Sequence, residues 1–128
     1  IFGKDEKFTD TFYMPDELPA WLTEADIDFF VEAFEQTGYG PSVNWYRNWD
    51  RNWELTPFLT GAKIRQPSML IAGAEDSVVT MMGPSIENQE ASMTDLRKKI
   101  LIPGAGHWVQ QERPQEVNEL LIEFLYGI

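Results

Sequence analysis

Cysteine is absent from this 128-residue chain, so it has neither a disulfide framework nor thiolate chemistry, as suits a cytoplasmic protein. Histidine occurs once, and one imidazole without a thiolate is too few ligands for an ordinary zinc site. Neither the P-loop pattern nor Gly-x-Gly-x-x-Gly is present, and no metal or cofactor is expected. No apolar run approaches the roughly 20 residues that a membrane-spanning helix needs. The start, Ile1-Phe2-Gly3-Lys4-Asp5, is neither the basic nor the apolar part of a signal peptide. Basic residues are scarce: 10 Lys and Arg against 21 Asp and Glu give a net charge of -11. Such a surface repels phosphate backbones and anionic headgroups, so neither nucleic acid nor membrane is an expected partner.

What the chain does have is enough apolar material, 43% with five tryptophans, for one globular domain with a core. Residues 1–20 are polar and irregular, with Pro15 and Pro19, and read as a surface loop. Thr23 has the chemistry of an N-cap, and Glu24 and Asp26 suit the positive end of a helix dipole. Leu22, Ile27, Phe30, Val31 and Phe34 recur as one helical stripe, which predicts a helix over 24–37 stopped by Gly38 and Gly40. Pro41-Ser42 then opens a second helix, in which Trp45, Trp49 and Trp53 lie on one face at spacing four. Burial in the core is the plain reading of that row. Tyr46 is rotated from it by about a hundred degrees, so its hydroxyl is free to serve otherwise.

Beyond Thr56-Pro57 the pattern changes. Ser68-Met69-Leu70-Ile71-Ala72-Gly73 is a short continuous apolar run stopped by glycine, as a buried parallel strand reads. Pro84-Ser85 predicts a helix over about 84–93, and Lys99-Ile100-Leu101-Ile102 a second buried strand. Arg113-Pro114 starts a last helix with Val117, Leu120, Leu121, Phe124 and Leu125 on its apolar side. Strand, helix, strand, helix implies an α/β fold with parallel pairing. Two strands leave both faces and both edges of a parallel sheet to be covered, so the expectation is one part of a larger α/β domain.

The single histidine follows a strand end and a glycine turn, Pro103-Gly104-Ala105-Gly106-His107. Open α/β sheets build their sites at that edge, and imidazole, with an ordinary pKa of about 6.5, both takes and returns protons near neutrality. Asp76 lies just beyond the other strand, with Glu75 beside it as a rival. Acid first and histidine second, each on a strand-end loop, is the order of the α/β-hydrolase triad. An acid bonded to Nδ1–H would fix the tautomer and leave Nε2 as the base. A nucleophile elbow, Gly-x-Ser-x-Gly or its Asp counterpart, is missing before Asp76, and the oxyanion donors are unassigned.

Asn44-Trp45-Tyr46-Arg47-Asn48 with Arg51-Asn52-Trp53 resembles the lid segment of soluble epoxide hydrolases of the α/β-hydrolase superfamily. Ala74-Glu75-Asp76 resembles their acid loop. Gly106-His107-Trp108-Val109-Gln110-Gln111, with Arg113-Pro114-Gln115-Glu116-Val117-Asn118, is similar to their histidine loop and final helix. The resemblance spans about residues 20–126. It implies residues 1–60 as a helical lid segment and 61–128 as the C-terminal part of the α/β-hydrolase core domain. It also implies a missing N-terminal half as partner, carrying an Asp nucleophile, the second lid tyrosine and the oxyanion loop, without which the piece is inactive.

The small-molecule substrate so implied is an epoxide, opened to a vicinal diol. In that scheme His107 is the water-activating base, Asp76 orients it and Tyr46 donates to the epoxide oxygen. Val78, Val79 and Trp108 match apolar positions that line the family's pocket, or simply pack. A lidded haloalkane dehalogenase is the nearest rival, a serine esterase a further one. An interaction module on a hydrolase scaffold, with the tryptophan row as its anchor, is the alternative of another class. Oligomeric state is not legible, and a homodimer stays open.

Overall fold

The computed structural model describes residues 15–128, so the loop expected over residues 1–20 lies, as far as residue 14, outside the described residues. The chain divides into two compact units, Ile1–Gln36 and Thr37–Ile128.

Helix α1 runs over Glu24–Thr37, the range expected, with all but its last residue in the first unit. Its start is a reciprocal cap. Thr23 Oγ1 accepts from the Asp26 backbone N–H at 3.2 Å, while Asp26 Oδ2 accepts from the Thr23 backbone N–H at 2.9 Å. The apolar stripe is only partly covered: Leu22, Ile27 and Phe34 are half-buried, whereas Phe30 and Val31 are exposed. A stripe needs an apolar layer to face, and the described residues of this unit contain one helix.

The second unit opens with helices α2 (Gly40–Arg47) and α3 (Trp49–Leu55), not the single helix expected. They part at Asn48, whose side chain donates from Nδ2 to the Asn44 carbonyl at 2.8 Å, competing for a helix acceptor. Gly38, at φ +65, ends α1, but Gly40 begins α2 instead of stopping its predecessor. The tryptophan row is not core here. Trp45, Trp49 and Trp53 are all exposed, and neither helix has a buried residue.

Strand β1 (Ser68–Gly73) pairs in parallel with β2 (Leu96–Ile102), in register from Met69 opposite Lys98 to Gly73 opposite Ile102. β2 begins three residues earlier than expected and is not buried on both faces. Its exposure alternates, with Arg97, Lys99 and Leu101 outward and Ile100 and Ile102 inward. Between the strands, Ser77–Met81 is helix α4 and Gly83–Glu87 helix α5, with a short 3-10 turn at Gln89–Ala91. The helix expected over 84–93 is thus broken. Asn88 Nδ2 takes the Pro84 carbonyl at 2.8 Å and diverts the chain. Helix α6 (Val109–Glu112), which was not expected, precedes α7 (Pro114–Tyr126).

The core of this unit is Ile102, Ala105, Val109 and Val117, with Ile71, Ile100 and Leu120 packed against it. Leu121 and Leu125 of the expected α7 stripe are exposed. The core therefore sits where β2 ends, directly under the loop that leads to His107. No helix among the described residues is long and apolar enough to cross a membrane.

Candidate active site

Because Gly73 and Ile102 are partners in register, the loops leaving β1 and β2 emerge side by side. They are stitched by backbone: the Ala74 N–H donates to the Ile102 carbonyl at 3.0 Å, and the Glu75 N–H to the Ala105 carbonyl at 2.9 Å. The approach is so close that a Cβ on Gly73 would fall 2.1 Å from the Gly106 carbonyl oxygen. Only glycine fits there. Ala105 is fully buried and ties this turn to the core, while Pro103 and Gly104 before it are exposed.

Asp76 is buried and divides its carboxylate between two tasks. Oδ1 caps α4 by accepting from the Val78 N–H at 2.8 Å. Oδ2 lies 3.0 Å from His107 Nδ1. An ionised carboxylate only accepts, so Nδ1 carries the proton and donates it, leaving the Nε2 lone pair free. Burial works to raise the Asp76 pKa. The bond from His107, the N–H of Val78, the positive character of His107 and the N–H of Val79 together outweigh it, holding the carboxyl below its ordinary 3.8. Glu75, the rival acid, is exposed and contributes only its backbone to the His107 loop.

His107 itself keeps 56% of its side chain exposed. Trp108 stands edge-on to it, with ring centroids 5.5 Å apart at 79°, and is also largely exposed. Val78 and Val79, on α4, are half-buried. Tyr46, on α2, is 66% exposed and packs on Trp49 at 5.7 Å between centroids. Among the described residues no hydrogen bond or ring contact joins Tyr46 to the Asp76–His107 pair. The structure thus brings acid and base together and leaves the phenol apart. A cavity of about 560 Å³ lined by Trp53, Glu54, Thr56, Pro57, Leu59, Thr60 and Gly61 includes none of these groups.

Two residues without a role in the sequence reading support the site. Glu112 closes α6, and its carboxylate accepts from the N–H of Gly106 at 2.6 Å and of Trp108 at 3.0 Å. Arg113 donates from Nη2 to the Gly104 carbonyl at 2.8 Å, where φ of +69 makes glycine the natural occupant. The signal available in the sequence was an acid and a base placed together shortly after a glycine turn, but residue types alone do not show which backbone groups lack partners.

A buried acid bonded to an imidazole that is otherwise mostly exposed is an arrangement suited to general-base chemistry. No protein-family model matches the chain. It is 43% identical over 121 residues to epoxide hydrolase A of Mycobacterium tuberculosis strain H37Rv, covering 94% of this chain and 37% of that protein. The crystal structure of epoxide hydrolase A from Mycobacterium thermoresistibile superposes with a TM-score of 0.82 at 50% identity, over 88% of this chain and 35% of the other. Potato (Solanum tuberosum) epoxide hydrolase I superposes with a TM-score of 0.80 at 35% identity, over 85% and 35%. The chain spans about a third of the length of these relatives.

Proposed function

Because the chain belongs to the epoxide hydrolases of the α/β-hydrolase fold, we propose that it supplies the acid and base of an enzyme that hydrolyses small epoxides to vicinal diols. Residues 1–60 are read as lid segment and 61–128 as the C-terminal part of the core domain. The nucleophile, an Asp, belongs to a further portion of the fold, as do the second lid tyrosine and the oxyanion donors. A cytoplasmic setting suits a cysteine-free chain.

The chemistry has two halves. First the upstream carboxylate attacks an epoxide carbon, the C–O bond breaks, and the departing oxygen takes a proton from a phenol, that of Tyr46 in this chain. The product is an alkyl-enzyme ester. Next His107 Nε2 removes a proton from water, and the resulting hydroxide adds to the ester carbonyl. Collapse of that adduct expels the diol and restores the carboxylate, and the proton taken up by His107 returns by way of solvent to the Tyr46 phenolate, so that every group is regenerated. Asp76 stabilises the imidazolium formed in between and holds the ring in its working tautomer. Val78, Val79 and Trp108 are assigned to the apolar wall of the substrate pocket.

The observation that carries this reading is the 3.0 Å bond between buried Asp76 and the Nδ1 of His107, set on two adjoining strand-end loops. The test is to give the full-length protein a styrene-oxide-type epoxide and to follow diol formation. Diol from the full-length protein and none from these 128 residues alone is the expected result. Turnover by the 128 residues would contradict it. Consumption of a haloalkane without diol from the epoxide would assign a haloalkane dehalogenase instead.

A further inference from the structure

We infer that Glu112 is a positioning residue for the His107 imidazole, an inference that rests on the hydrolase reading above. Among the described residues His107 has one side-chain hydrogen-bond partner, Asp76, and apart from the edge-on Trp108 its ring is mostly open to solvent. The direction in which Nε2 points is therefore set largely by the backbone on either side of it. Both flanking peptide N–H groups, those of Gly106 and Trp108, donate to the same carboxylate, one to each oxygen of Glu112. Bonds to an ionised acceptor are about twice as strong as neutral ones, and a pair of them to one rigid carboxylate fixes the backbone dihedrals between the donors.

The clamp has a second jaw. Arg113, the next residue, holds the Gly104 carbonyl with Nη2 and the Glu112 carbonyl with Nη1 at 2.9 Å. The α6–α7 junction thus grips the histidine loop by its donors on one side and by an acceptor on the other. The junction is itself anchored, since Val109 and Val117 on either side of it are buried in the core under Ala105. The Glu112 carboxylate sits close enough that a Cβ on Gly106 would lie 3.2 Å from Oε1. Glu112 is bonded to the loop and not to the imidazole or Asp76, so it acts through His107.

In the proposed reaction only the second half uses His107. A loosened loop misplaces Nε2 relative to the attacking water, and a 1 Å error in such an arrangement can cost about 10²-fold. Ester formation relies on other groups and escapes the effect. The experiment compares full-length wild type with Glu112→Gln and Glu112→Ala on styrene oxide. Stopped-flow fluorescence resolves ester formation from ester decay, and hydrogen exchange reports the amides of Gly106 and Trp108. Gln keeps one acceptor oxygen and Ala none. Decay is expected to slow about 10-fold in Glu112→Gln and about 100-fold in Glu112→Ala, with formation within about twofold and faster exchange at both amides.

Should the Ala variant fail to fold, the Gln variant carries the test. Decay at the wild-type rate in a folded Gln variant, or formation and decay falling together, overturns the inference while leaving the hydrolase reading intact. A wild type that forms neither ester nor diol overturns both.

Discussion

The stretch from α2 to α3 and the stretch from β1 to α7 are held by different kinds of contact. In residues 40–59 the side-chain bonds are local: Asn48 to the Asn44 carbonyl, Thr56 to the Asn52 carbonyl, Arg51 with Glu54. Their large side chains, Trp45, Tyr46, Trp49, Trp53 and Phe58, are exposed. In residues 68–126 the bonds span the chain. Asp76 meets His107 across 31 positions, and two strand ends, a glycine turn and a helix junction share one small core. The lesson is that Asp76 and His107 are positioned by contacts far apart in the sequence, whereas Tyr46 stands on a scaffold whose large apolar side chains stay exposed among the described residues.

The sharpest way to break the knit region is through the base and its acid. In the full-length protein, His107→Gln should lower diol formation by about 10²–10⁴-fold, the range of a lost general base, while ester still forms. Asp76→Asn should act nearly as strongly for a subtler reason. Asn can keep the α4 cap through its carbonyl oxygen, but its amide donates where the carboxylate accepted, which reverses the imidazole tautomer. Trapping of the ester by mass spectrometry checks both, and diol at the wild-type rate from either variant would end the assignment of the pair.

Next in size is Gly73→Ala. The added methyl would sit 2.1 Å from the Gly106 carbonyl oxygen, backbone that cannot rotate away. A loss of about 1–3 kcal/mol of stability is expected, with the histidine loop displaced and ester decay slowed. Urea denaturation and stopped-flow kinetics on the full-length variant measure the two effects. An Ala variant as stable and as fast as wild type would mean that the two loops are not locked together as described.

Much of the knit region was legible beforehand because its signals are local. The run Ser68–Gly73 ends in glycine and is a strand with those bounds, and Pro114 opens α7; outside that region, Thr23 caps α1 in the same local way. Asp76 and His107 could be paired because strand ends in a parallel sheet place their loops together. The failures share a cause. The tryptophan row reads as core because spacing reveals a face but not what covers it, and all three rings are exposed among the described residues. The breaks at Asn48 and Asn88 come from side-chain amides that take backbone carbonyls, a competition to which periodicity is blind. Glu112 is not legible in the sequence because its importance lies in two backbone N–H groups that only the folded turn brings to its carboxylate.

The helical region predicts a smaller and differently placed effect. Tyr46→Phe removes one phenolic donor and leaves the ring on Trp49 in place. Since the epoxide oxygen gains charge only during ring opening, ester formation should slow by about 10- to 100-fold, at or below the low end of the roughly 10²–10³-fold loss for one oxyanion donor, because a second donor remains. Ester decay should be unchanged. That is the reverse of the pattern expected for Glu112, so the two variants together separate lid from loop. Slower decay with normal formation in Tyr46→Phe would place the phenol in the wrong half of the reaction.

The smallest effect concerns acid. Two opposed influences act on Asp76: burial favours its neutral form, and the bonds from His107, Val78 and Val79 favour the carboxylate, with the balance below the ordinary 3.8. A carboxyl whose folded pKa is depressed contributes stability that is complete above its unfolded value, about 3.9, and is lost as pH falls through the folded one. Between pH 5 and 7 the Asp76 carboxylate should therefore stay ionised and its contribution flat, with the decline confined to strongly acid solution. Titration of the Asp76 carboxyl by carbon-13 NMR in the full-length protein reads this directly. A midpoint above 3.8 would mean that burial wins once the site is fully enclosed. The acid would then release its hold on His107 sooner, and the tight half of the molecule would be the more acid-sensitive one.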